Sequence, residues 1–236
     1  MPKTNKEKFK AGIYNYCDRW CERCSDTNKC YIYAKEQEAK QKHIEDGEDP
    51  NDPKIMMKDI ITDMREVNKM IQTKMNKLGV TEKELGEMEL QDINAEPDFD
   101  KHPLIEKCLK YFESSHKFLS EFNYEQQKMV MQFGIKITDN DIDDELKIIT
   151  WYHSLLGSKA TRLLIEQHFA KIETDPETKK IIIEDLPKFF SLINKCISQS
   201  QNAFNSFTQK REGYKTKISP LIKLLIQIQS EVDKLK

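Results

Sequence analysis

The sequence contains little glycine or proline, and it has no long apolar run. Seven glycines and eight prolines in 236 residues are too few for an all-β chain, which needs a turn about every ten residues. No segment approaches the roughly 18 apolar residues of a membrane span. Residues 1–16 lack the apolar stretch of a signal peptide. These absences predict a helical protein that is cytoplasmic and has no membrane partner.

The sequence also lacks a strong net charge. Its 38 basic and 40 acidic residues nearly cancel, leaving a net charge of −2. Such a chain has no overall basic field to attract nucleic acid, which would need a local patch instead. Charged residues make up 33% of the chain and hydrophobic residues 38%, enough for a core beneath a charged helical surface. We therefore expect the partner to be another protein.

Apolar residues recur at helical spacing through most of the chain, which predicts an all-α helical bundle. Helix-start signals include the capping box Thr81–Glu84, Pro103 and the acidic run at 138–146. A short apolar run at 181–185 is the one weak strand pattern. The first long apolar stripe ends at Gly79 and consists of Met57, Ile60, Met64, Val67, Ile71, Met75 and Leu78.

The stretch EDGEDPNDPK, residues 45–54, predicts a surface linker. It carries two prolines, one glycine and five acidic residues. We assign residues 1–50 to a small cysteine-bearing, metal-binding element with one helix, YIYAKEQEAKQKHIE. Residues 54–236 are assigned to the bundle.

Four of the six cysteines lie close together, at Cys17, Cys21, Cys24 and Cys30. In a reducing compartment, cysteines at such spacing are typical of metal ligands rather than disulfides. A straight helix would spread the first three over roughly 10 Å, so the chain must turn between Cys21 and Cys30. The spacing C-x3-C-x2-C-x5-C favours a [4Fe–4S] cluster, and zinc is the alternative metal. A third possibility is that the thiols are unligated or sense redox state.

Part of this cluster resembles a known iron–sulfur loop. The segment CERCSDTNKCYIYAKE is similar to the loop of helix-hairpin-helix DNA glycosylases, whose last three cysteines share the spacing of Cys21, Cys24 and Cys30. Those enzymes have a longer gap before the second cysteine and carry the loop after their catalytic domain. The resemblance covers about ten residues, so it implies a cluster and not glycosylase activity. The C-x3-C-x2-C string also occurs in radical S-adenosylmethionine enzymes, but we reject that interpretation. Arg23 stands where they usually have an aromatic residue, Cys30 would supply a fourth ligand, and the sequence does not predict the strands of their α/β barrel.

More broadly, the chain resembles an uncharacterised bacterial group of all-helical proteins. The segments that carry this resemblance are GIYNYCDRWCERC near the start and ITWYHSLLGSKATRLL in a later helix. It would cover most of the chain, and it implies a helical fold without implying an activity.

Two histidines, His116 and His153, lie on predicted apolar stripes. Glu113 stands three residues before His116, which gives one Glu-x-x-His of the kind that builds di-iron sites in bundles. A second such motif is missing, because Thr150 stands three residues before His153. We therefore expect both histidines to be buried packing residues, and a second metal site at Glu113, His116 and His153 is the alternative.

Three further polar residues, Tyr152, Lys159 and Arg162, share a face of one predicted helix. Together they could bind a phosphate or carboxylate, and a basic edge exposed to solvent is the alternative. Cys108 and Cys196 have apolar neighbours in the sequence and are expected in the core.

These patterns support three hypotheses about function. The first is a non-catalytic binding or adaptor module whose N-terminus is held by the four-cysteine metal site. The second is an iron–sulfur protein that transfers electrons or senses redox state. The third is a bundle metalloenzyme that uses Glu113, His116 and His153.

Overall fold

The computed structural model describes residues 9–10, 12–81, 83–84, 97–133 and 141–236. Within these ranges the chain forms α-helices and short 3-10 helices, and no strand. The chain divides into two compact units, Met1–Pro97 and Asp98–Lys236. No helix in the described ranges is long and apolar enough to cross a membrane. The prediction of an all-helical fold is confirmed.

The described part of the N-terminal unit includes two long α-helices, α1 (Tyr31–Glu45) and α2 (Pro53–Leu78). Helix α2 begins where the Asp52 carboxylate accepts a hydrogen bond from the Lys54 N–H at 2.8 Å. It ends at Gly79, whose φ of 69° lies in the left-handed region that favours glycine. The predicted capping box also forms: the Thr81 N–H donates to Glu84 at 2.8 Å, and the Glu84 N–H donates to the Thr81 hydroxyl at 3.3 Å. The helix expected after it lies outside the described residues.

The predicted linker at 45–54 is a short corner between α1 and α2. The imidazole of His43 lies between two carboxylates, with Nδ1 2.6 Å from Glu48 and Nε2 2.9 Å from Asp59. These hydrogen bonds, to Glu48 and then to Asp59, raise the pKa of His43. The corner ties α2 to α1 within the compact unit Met1–Pro97.

The described residues of the C-terminal unit form a bundle of four α-helices. Its helices are α3 (Pro103–Phe133), α4 (Asp143–Ile172), α5 (Pro176–Lys210) and α6 (Lys215–Asp233). A 3-10 turn, Glu212–Tyr214, links the last two. Each helix packs against two others in the cyclic order α3, α4, α5, α6. The segment 181–185, whose apolar run resembled a strand, lies inside α5, which also continues through Pro187.

An aromatic cluster forms one part of the bundle core. Phe118 and Phe122 of α3 lie 5.6 and 5.5 Å from the ring of Phe207 on α5, measured between centroids. Phe122 also lies 5.5 Å from Tyr214. These edge-to-face contacts hold α3 with the Phe118 side inward.

The buried face of α3 is therefore not the predicted one. The stripe predicted for α3 consists of Ile105, Leu109, Phe112, His116 and Leu119. Leu119 is buried, but Leu109, Phe112 and His116 are exposed, whereas the neighbouring positions Leu104, Cys108 and Tyr111 are fully buried. The helical spacing was correct, but the inward face lies about one residue earlier along the chain.

A buried carboxylate joins the start of α4 to the end of α5. Glu145 accepts hydrogen bonds from the Ser206 hydroxyl at 2.6 Å and from the Lys210 ammonium at 2.7 Å. Beside it, Arg211 pairs with Asp141 at 2.9 Å. Burial raises the pKa of Glu145, but the bonds from Lys210 and Ser206 outweigh it and hold that pKa below its usual range.

We predict that Glu145→Gln lowers the free energy of unfolding by about 1–2 kcal/mol at neutral pH, because an ionised acceptor is lost. The folded-state pKa of Glu145 is depressed, so its stabilisation is present above the ordinary glutamate pKa and is lost as pH falls through the folded-state value. Chemical denaturation at neutral and acidic pH measures both effects. Glu113→Gln, at an exposed site of the same unit, is the matched control. An equal loss of stability in both variants, or a Glu145→Gln loss that does not shrink in acid, would contradict this role.

Candidate metal centre

Three of the clustered cysteines occupy the same local position. Cys17, Cys24 and Cys30 each directly follow a one-turn 3-10 helix, namely Ile13–Tyr16, Cys21–Arg23 and Thr27–Lys29. Each has extended backbone angles, with φ of −104°, −86° and −94°. The fourth, Cys21, opens the middle turn. The predicted change of chain direction between Cys21 and Cys30 is thus made by two successive tight turns.

The chain between Cys17 and Cys21 adopts an unusual conformation. Arg19 has a φ of 55°, in the left-handed region that residues other than glycine seldom adopt. Next to it, Asp18 is 5% exposed, and its carboxylate accepts a hydrogen bond from the Trp20 N–H at 3.3 Å. This bond holds the chain as it reverses between the first two cysteines.

Two contacts join the ends of the cysteine segment. The Lys10 N–H donates to the Lys29 carbonyl at 2.9 Å. The rings of Phe9 and Tyr31 meet edge to face, with centroids 5.6 Å apart. These contacts close the segment into a loop.

All four clustered cysteines line a single cavity. It has a volume of about 30 Å³, which exceeds the ~10–15 Å³ that one ordered water needs. The four thiols are free rather than paired in disulfides, and each residue is partly exposed. The structure therefore brings the predicted ligands together. The other lining residues are Ile13, Tyr14, Asp18, Arg19, Trp20, Thr27 and Tyr33.

The electrostatics of Cys21 also reflect this grouping. Burial is the largest cause of the raised pKa of Cys21, and Glu36 is the second. The neighbouring Cys17 and Cys30 are the next largest causes. The thiols of Cys17 and Cys30 therefore lie close enough to Cys21 to disfavour its thiolate form. A bound cation reverses this relation, because it stabilises every thiolate that contacts it.

Within the described ranges, no group of three or more histidine, cysteine, aspartate or glutamate side chains has the geometry of a formed metal-ion site. The structure thus shows the four cysteines around one cavity and does not show a metal centre. Metal binding at Cys17, Cys21, Cys24 and Cys30 remains a prediction.

The second predicted site places its two histidines side by side. The imidazoles of His116 and His153 are stacked, with centroids 6.0 Å apart and planes 17° apart, and Phe112 stacks on His153 at 5.2 Å. The Nδ1–H of His153 donates to the Thr150 carbonyl at 2.6 Å. His153 is 8% exposed, which agrees with a packing role, whereas His116 and Glu113 are exposed. The expectation that His116 is buried is wrong, for the same reason that the predicted α3 stripe faces outward.

The three residues of the predicted anion site are in different environments. Tyr152 lies in the bundle core, 3% exposed, while Lys159 is partly buried. Arg162 is exposed and forms an ion pair with Glu166 one turn later in α4. The guanidinium is therefore already paired with a carboxylate of its own helix.

Cys108 and Cys196 are buried in the bundle, as predicted, and they lie on α3 and α5. Burial, with a smaller effect of Cys196, raises the pKa of Cys108 to about 12. A thiol with such a pKa stays protonated at neutral pH. These two residues therefore serve as internal controls for the four clustered cysteines.

Sequence reasoning missed the roles of Asp18 and Arg19 beside the clustered cysteines. A buried acid and a left-handed arginine give no recognisable local pattern, because both depend on how the loop closes.

Comparisons with protein-family models, curated proteins and solved structures found no match to this chain. The bacterial-family and glycosylase-loop resemblances therefore remain predictions.

For the stacked histidines, we predict that His153→Gln costs about 1–2 kcal/mol of stability and that His116→Gln costs less than about 0.5 kcal/mol. Burial and the neighbouring His116 lower the pKa of His153, so its neutral form stabilises the fold above the usual imidazole pKa. The His153→Gln penalty should then shrink as pH falls through the folded-state pKa. Urea titrations at several pH values measure it.

Metal content distinguishes this packing role from the alternative. We expect both histidine variants to keep the metal stoichiometry of the unmodified protein, as should Glu113→Gln. If His153→Gln removes a metal equivalent that survives replacement of the clustered cysteines, the histidines are ligands.

Proposed function

We propose that this protein binds a metal centre through Cys17, Cys21, Cys24 and Cys30, and that the centre holds together the N-terminal part of a non-catalytic protein-binding module. The observation that carries this proposal is that all four cysteines line one cavity with free thiols. Four thiolates are the ligand set of both [4Fe–4S] clusters and structural zinc sites.

The N-terminal unit needs such a centre for its stability. Among its described residues, Met75 is the one apolar side chain that is buried, at 7% exposure. Small units without an adequate hydrophobic core commonly rely on a metal or on disulfides for stability. Since the cysteines are not paired in disulfides, a metal is the stabiliser that their arrangement supports.

Of the two metals, the [4Fe–4S] cluster remains our first choice. The spacing of Cys21, Cys24 and Cys30 supports it. The apolar faces of Tyr14, Trp20 and Tyr33 line the cavity and would limit water access to the cluster. Zinc remains the alternative.

The binding role is supported by the surface of the N-terminal unit. Large apolar side chains lie exposed on α2, including Met64 at 68% and Leu78 at 66%. Exposed apolar side chains along one helix face are typical of surfaces that bind another helix.

The partial exposure of all four cysteines favours the second candidate, electron transfer or redox sensing, because solvent exposure allows electrons or oxidants to reach a cluster.

We predict that Cys21→Ser or Cys24→Ser removes most of the bound metal and makes residues 9–50 sensitive to protease. These residues form the middle turn, in which the Cys24 N–H donates to the Cys21 carbonyl at 3.2 Å. Elemental analysis and limited proteolysis measure the two effects. Cys108→Ala, which removes a buried thiol of the bundle, is the control and should keep the metal.

Full metal content and unchanged protease resistance in both serine variants would contradict a four-thiolate site. If dithionite reversibly reduces the metal centre of the unmodified protein and no metal is lost, the redox role is favoured over a purely structural one. Metal that survives replacement of all four cysteines would favour the enzyme hypothesis based on Glu113, His116 and His153.

A further inference from the structure

Helix α2 carries an apolar stripe that faces solvent. Apart from Met75, every residue of the predicted stripe is between 44% and 68% exposed. The stripe residues from Met57 to Ile71 alternate in steps of three and four, which is the heptad spacing of a coiled coil. We call the line of contact between the two helices of such a coiled coil the seam. In this spacing Lys74 occupies the next seam position after Ile71, and Leu78 occupies the last.

The charges of α2 are unevenly distributed along its length. Residues 67–78 contain three lysines and no acidic residue, whereas residues 53–66 contain three acidic and three basic residues. Two parallel copies of α2 would place the lysine-rich halves together and would set Lys74 against itself in the seam. Two antiparallel copies place each lysine-rich half beside the half that contains Asp59, Asp63 and Glu66.

We propose that α2 joins two copies of this chain as an antiparallel coiled coil. In one register, Val67 of each copy packs against Ile71 of the other, and Ile60 packs against Leu78. The same register places Lys74 opposite the flexible side chain of Met64. The aliphatic part of Lys74 packs along Met64, and the Lys74 ammonium reaches solvent.

The flanking positions of this register are self-complementary. Asp63 of one copy faces Lys77 of the second copy, and the two-fold symmetry makes this pair twice. Near the symmetry axis, Asn68 faces Asn68 and Met70 faces Met70 of the second copy. The same surface therefore fits itself, as a two-fold interface requires. This inference does not depend on the metal site.

Charge reversal tests the partner and its direction. We expect sedimentation equilibrium of the full chain to show a dimer in the micromolar range. Asp63→Lys and Lys77→Asp should each raise the dimer Kd about tenfold or more, because two attractive pairs become repulsive. The double variant Asp63→Lys/Lys77→Asp should restore dimerisation, since each pair is re-formed with its charges exchanged.

A seam substitution tests the stripe itself. Val67→Glu should give a monomer, whereas Thr62→Glu, which adds the same charge on the opposite side of α2, should remain a dimer. Circular dichroism confirms that both variants keep their helix content. A monomeric unmodified chain, a dimer that survives Val67→Glu, or single charge variants that the double variant does not rescue would overturn the proposal.

Discussion

The closeness of four cysteine thiols around one cavity is the constraint on which the proposed metal site depends. Burial, then Glu36, and then the neighbouring Cys17 and Cys30 raise the pKa of Cys21. With a cation, the same closeness becomes stabilising, and the tight turns that end at Cys17, Cys24 and Cys30 are fixed by their ligation. The metal would thus supply what a hydrophobic core supplies elsewhere.

The two units are stabilised in different ways. The bundle has a dense interior, with Phe118, Phe122 and Phe207 in mutual ring contact and Glu145 fixing one end of it. The N-terminal unit relies on local polar contacts, such as the His43 corner between α1 and α2. The apolar stripe of α2 is largely exposed. The proposed metal and the proposed partner helix would both stabilise such a unit.

The features predicted correctly from the sequence are those determined by neighbouring residues. Helix α1 matches its predicted segment at both ends, Gly79 ends α2, and Thr81 with Glu84 forms the expected capping box. The grouping of the cysteines was also predictable, since it follows from their spacing. Each of these depends on interactions within a few residues along the chain.

The features that were missed depend on contacts between distant segments. The inward face of α3 is set by aromatic rings of α5 and of the following turn, so its own stripe indicated the wrong face. The bond between Glu145 and Lys210 joins residues 65 apart in sequence. Asp59 of α2 binds His43 of α1 across the predicted linker, 16 residues away in sequence. No local pattern contains this information.

The most direct test of the four-thiolate centre is the iron, acid-labile sulfide and zinc content of the full chain purified without oxygen. We expect about four iron and four sulfide per chain, with an absorbance band near ~400 nm that bleaches with dithionite, as for thiolate-bound clusters. One zinc per chain would keep the four-thiolate site and replace the cluster. Protein that binds neither metal, before and after reconstitution with iron, sulfide or zinc, would contradict the account.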